Sequence, residues 1–377
     1  MDGCNHLFQY FRDRMDGFVS HSFEASPDAP LRGADRWLLA SLLQKAVRRG
    51  DVTIARRAAH HLLMVDPSRL WRRLMTIGLE DIGIGDVEAA AELIGIAALP
   101  QVRTLFASPA QAVDMAVRRA CEAVKDRTGD HFGSLARDVS GSAEVNGLDE
   151  ASVNALGAVL ASPHLSWRRR LHAATLLGDW AEARAASRIE KFAFAAEIFE
   201  ALDVPENLIA ACAVYVARAR DALPIFVPFG WCLWRGLGAA MAITSHALPQ
   251  TEWVGELPSY AFDPLHTRLG RRAIDLWLRS YLQKPPFDGR QVSIALWNME
   301  AALCARTLRW PLGEGFQEEA ESADLTTRHL PLQRHGELRA WIAEERSVLL
   351  CARHAAWEGA LREKTLEQQA ALPAMRS

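Results

Sequence analysis

The sequence predicts an all-α protein, a helical bundle followed by a second, mainly helical domain. Apolar residues recur at three- and four-residue steps, and polar caps and glycines punctuate those runs at helix-length intervals. No run keeps the two-residue alternation of a strand over a strand's usual length.

Residues 1–33 mix polar and apolar positions without a sustained period and contain Pro27 and Pro30, so they form an irregular lead-in. From Asp35 the pattern turns helical, with Leu39, Leu42, Leu43 and Ala46 on one face, and stops at Arg48-Arg49-Gly50, a cationic last turn followed by a terminating glycine. Asp51 caps a second helix that places Ile54, Ala58, His61, Leu62 and Val65 together. Asp66-Pro67 then serves as cap and first-turn proline of a third, with Leu70, Leu74 and Ile77 inward. Such short turns make the three helices antiparallel neighbours. Helical patterns continue to about Lys125, so residues 34–125 are expected to form one helical domain.

Residues 126–150 are rich in Gly, Ser and Asp and are expected to be a linker to a second domain, 151–377. That half carries apolar stripes at Leu208, Cys212, Tyr215 and Val216 and at Val292, Leu296, Met299 and Leu303. It ends in an amphipathic helix from about Glu337 to Arg362. The apolar stretch Leu223–Ile243 is interrupted by Pro224, Pro228 and Arg235, which suits buried core better than a membrane span. No fixed period repeats three times, so a solenoid is not expected, and the acidic run from Gly313 to Asp324 reads as a solvated loop.

Composition sets limits on function. The 377 residues are 50% hydrophobic and 24% charged, enough for a full core. Lys plus Arg number 43 against 46 for Asp plus Glu, so any nucleic-acid-binding surface must be local. The six cysteines lie far apart with no C-x-x-C pair, and the N-terminus lacks the apolar core of a signal peptide. Both features fit a reducing cytoplasm, with no disulfide framework, metal site or membrane partner expected.

The phosphate-binding loop G-x-x-x-x-G-K-[ST] and a G-x-G-x-x-G after a strand are both missing, so ATP hydrolysis and bound cofactors are not expected. His60 and His61 point about 100 degrees apart on a helix and do not readily share one metal. The patch most like an enzyme site is Pro258–Arg272, where Asp263, His266 and Arg268 could orient a proton transfer or hold a phosphate. A simpler reading makes Asp263-Pro264 the cap and first-turn proline of a helix, with His266 bonded to a buried carbonyl. Twelve Trp, including Trp231, Trp234, Trp253, Trp277 and Trp297, fit core packing better than base stacking.

Two segments, SLLQKAVRRGD (Ser41 to Asp51) and RRLMTIGLEDIGIGD (Arg72 to Asp86), carry a recognisable pattern. They resemble the C-terminal helical region of the replication-associated recombination protein A family, also called MgsA and including the Werner-helicase-interacting proteins. The matching positions are Lys45, Arg48, Asp51, Arg72, Arg73, Glu80, Asp81, Gly83 and Asp86, while Leu79 and Gly85 replace small residues of the family pattern. The resemblance spans roughly residues 36–125 and does not include the family's AAA+ ATPase module. It implies a clamp-loader-collar type of helical bundle that supports oligomerisation in DNA metabolism. In the residues themselves, Gly83 is expected to end a helix in a left-handed conformation while Glu80 and Asp81 tie the turn to the Arg-rich helices.

Two functions follow. The first is a non-enzymatic interaction or scaffold protein of DNA replication, recombination or repair, self-associating or bound to a protein partner. Residues 32–73 hold ten basic against three acidic side chains, so Lys45, Arg48, Arg49, Arg56, Arg57, Arg72 and Arg73 are candidates for contact with DNA or a partner. The second is an enzyme of unfamiliar type built around Asp263, His266 and Arg268.

Overall fold

A computed structural model describes residues 3–13, 31–32, 34–139, 145–184, 188–219, 223–238, 242–251, 253–261, 287, 303–310 and isolated positions between 337 and 362. In chain order its helices begin with α1 (Gly3–Arg12), α2 (Arg36–Arg49), α3 (Val52–Val65) and α4 (Pro67–Ile77). A π-helical turn (Gly78–Ile82) and a 3-10 turn (Gly83–Asp86) lead into α5 (Val87–Ala98), α6 (Pro100–Arg103), α7 (Pro109–Glu122) and α8 (Thr128–Val139). Then come α9 (Val153–Ala161), α10 (Trp167–Arg184), α11 (Arg188–Ala201), α12 (Glu206–Val216) and α13 (Leu223–Gly236). Four short strands complete the described elements: β1 (Ala242–Ser245), β2 (Trp253–Val254), β3 (Leu257–Pro258) and β4 (Arg306–Arg309). The protein is mostly helical, and none of the described helices is long and apolar enough to cross a membrane.

The chain folds into two compact units that interleave along the sequence. A bundle unit takes Met1–Ala25, Trp71–His246 and Arg306–Ala323, and a hairpin unit takes Ser26–Leu70, Ala247–Ala305 and Asp324–Ser377. The expected domain at 34–125 is therefore divided at Leu70/Trp71, within α4. The physical reason lies in what each part packs on. In the hairpin unit α2 meets the 3-10 turn Ser259–Ala261, where Ser41 Oγ donates to the Ala261 carbonyl at 2.9 Å, and the Arg48 carbonyl accepts from Ala305 N–H. In the bundle unit α5 packs on α1, α7 and α12.

Local chemistry accounts for the hairpin unit's helices. The Asp35 carboxylate accepts from the N–H groups of Trp37 and Leu38 to start α2. Gly50, in the left-handed conformation (φ 69, ψ 17), ends it. Asp51 caps α3 through Ile54 N–H, and Asp66 caps α4 through Arg69 N–H. Leu39, Leu42, Leu43 and Ala46 are buried, as their spacing requires, and so are Ile54, Ala58 and Leu62. Val65, expected inward, is instead exposed at the end of α3.

In the bundle unit α5 is buried around nearly its whole circumference, as its run of Ala, Leu and Ile dictates. The first part of the expected linker at 126–150 is packed into the bundle unit instead, as far as Val139. Asp126, Arg127 and Thr128 are buried, and Phe132, Leu135 and Ala136 of α8 are core residues. The polar side chains of Asp126, Arg127 and Thr128 serve buried partners rather than water. Most of the stretch from Leu223 is core, with Pro228 inside α13, but Ile243 lies exposed on β1. Strand β1 pairs antiparallel with β4, and Lys125 bridges Thr307 on β4 in parallel.

Candidate interaction site

The basic residues of the resembling segments are used mainly as internal ties. Lys45 is buried and donates from Nζ to Ser41 Oγ at 2.7 Å, and Arg48 and Arg56 are buried as well. The Arg49 guanidinium lies 4.3 Å from the centre of the Tyr260 ring, and Arg57 Nη2 donates to Glu256 Oε2 at 3.1 Å. Arg73 is half-buried and Arg72 exposed. The seven candidates therefore do not form one outward-facing patch. Burial of Lys45, Arg48 and Arg56 leaves little of these side chains for a phosphate.

Gly83 has φ 49 and ψ −128, a positive φ but not the left-handed helical cap the sequence suggested. The conformation serves a close approach. A Cβ on Gly83 would lie 2.8 Å from the Asp126 carbonyl oxygen, and one on Gly85 would lie 2.6 Å from that of Val124. The backbone of 124–126 thus runs directly against the turn, and Asp126 N–H donates to the Asp81 carbonyl at 2.9 Å.

Side chains reinforce this junction. Asp81 is fully buried and pairs with Arg127 at 3.5 Å, while Arg127 Nη2 reaches Asp130 at 2.7 Å. The expected tie from Asp81 thus goes to Arg127, on the segment leading into α8, because 124–127 is the chain that lies against the turn. Glu80 is half-buried. Asp86 caps α5 through Ala89 N–H and receives both Nη atoms of Arg119, at 2.9 and 3.1 Å. Arg119 Nε also donates to Glu92 at 2.8 Å. Burial holds the Glu92 carboxyl above its ordinary range although Arg119 pulls the other way.

Asp126 is the second buried carboxyl of the junction. One of its oxygens accepts from the Thr128 hydroxyl and from Trp310 Nε1 at 2.9 Å, and burial pushes its pKa upward despite those bonds. Trp310 follows β4 and packs edge-on against Phe132, itself edge-on to Phe229. Sequence reasoning missed Asp126, Arg127, Arg119 and Trp310 because each has a partner distant in the chain: Trp310 for Asp126, Asp81 for Arg127, and Asp86 and Glu92 for Arg119. Arg119 alone carried a clue, an arginine on the apolar side of an otherwise amphipathic helix.

Asp263, His266 and Arg268 lie outside the described residues. Among the described residues no group of three or more His, Cys, Asp or Glu is arranged to hold a metal ion. Of the tryptophans, Trp231 and Trp234 do meet, ring centres 5.6 Å apart, and Trp231 Nε1 donates to the Asp203 carbonyl. At the open end of the α2–α3 hairpin lies a surface feature that sequence reading also missed. Arg69 stacks 3.5 Å over the Trp37 ring, with Arg36 5.8 Å from it. Asp66 pairs with both arginines, at 3.4 and 3.5 Å.

No family model, characterised protein or solved structure matches this chain.

Proposed function

We propose that this protein is a non-enzymatic interaction or scaffold protein of DNA replication, recombination or repair, acting without an ATPase motor of its own. In this reading α2–α4 and the glycine turn after them play the part of a collar-type helical unit, and self-association or a protein partner supplies the assembly. The observation that carries it is the inward use of charge: Lys45, Arg48, Asp81 and Arg127 are buried and Asp86 and Arg119 pair with each other. Charges spent this way stiffen a framework and leave little for phosphate binding, so the reading favours protein contacts over direct DNA contact.

Light scattering across micromolar concentrations tests it, with an assembly larger than one chain, or a defined complex with a replication or repair protein, as the expected result. A strictly monomeric chain with no such complex would count against it. Titration with labelled single- and double-stranded DNA at two salt concentrations is expected to show weak binding that vanishes at the higher salt. Tight binding abolished by reversing Arg72 would restore the nucleic-acid version.

A further inference from the structure

We draw no further inference here: the strongest candidate, the exposed apolar patch of Trp37, Met64 and Val65 at the open end of the α2–α3 hairpin, carries nothing because nothing in the structure shows what covers it.

Discussion

Arg119, on α7, meets two carboxylates, whereas Arg170, on α10, donates to two carbonyl oxygens among the described residues. Arg119 reaches Asp86 through two hydrogen bonds and Glu92 through a third. Burial would lower its pKa, but the attraction of Glu92 and Asp86 wins and holds it higher still. Arg170 is almost wholly buried, and its Nε and Nη2 donate to the carbonyls of Leu160 and Cys232 at 3.0 and 3.1 Å. Burial lowers its pKa, and the neighbouring Cys232 thiol, pushed up to about 12 by its own burial, stays neutral and supplies no countercharge. Both carbonyls lie near the C-terminal ends of their helices, where the backbone dipole is negative. One arginine thus joins segments by ion pairs, and the other uses helix ends as a diffuse anion.

The difference predicts unequal costs of removal. Arg119→Met strands two neighbouring carboxylates, Asp86 and Glu92, and is expected to lower stability by about 2 to 4 kcal/mol at pH 7. That deficit should shrink in acid, because the Glu92 carboxyl, already raised, is neutralised as the pH falls through its folded value. Urea unfolding at pH 7 and near pH 5 measures both effects. An equal deficit at the two values would mean that Arg119 contributes by packing and not by charge.

Asp81→Ala extends the comparison to a third arginine, Arg127, which is buried and retains Asp130 at 2.7 Å. The expected loss is about 1 to 3 kcal/mol, whereas Arg72→Ala, at an exposed position, should leave the melting temperature unchanged. Equal losses would return Asp81 to the Arg-rich helices as the sequence had suggested.

These pairings mark where sequence reading succeeds. Asp51 and Asp66 as caps and Gly50 as a terminator are interactions within a few residues, and each could be read directly. The inward faces of α2 and α4 follow from period alone. Lys45 and Arg48 are hydrophilic residues on a helix whose remaining face is also covered, so period misassigns them. Asp126 and Arg127 looked like linker because polar composition is the same whether partners are water or a turn some forty residues earlier. The Trp37 surface depended on two helix ends meeting, which spacing within either helix does not encode.

Arg170→Met should cost less than either change above. It leaves two carbonyls without a donor, at about 1 to 3 kcal/mol, but also removes a desolvated charge, and the two partly cancel. A net loss near 1 kcal/mol is expected, with little change between pH 5 and 7 because the acceptors described for Arg170 are carbonyls that do not titrate. A loss as large as that of Arg119→Met would erase the distinction between ion-pair and dipole neutralisation.

The smallest expected effect is a gain. Asp126 is the acidic counterpart of Arg170: a buried ion met by neutral donors, the Thr128 hydroxyl and Trp310 Nε1. Its folded pKa lies above the ordinary value, so the folded protein holds the proton more tightly than the unfolded chain does. The resulting stabilisation is present below the unfolded pKa and is lost as the pH rises through the folded one. Asp126→Asn keeps an acceptor for Thr128 and Trp310 while carrying no charge, so it escapes that loss. The variant is expected to match the parent in acid, to pull ahead as the pH rises through the raised pKa, and to keep a constant small advantage beyond it. Melting curves from pH 4 to 8 measure this. A variant less stable than the parent at pH 7 would mean that the charge itself, through Arg127 or Lys125 nearby, holds the junction together.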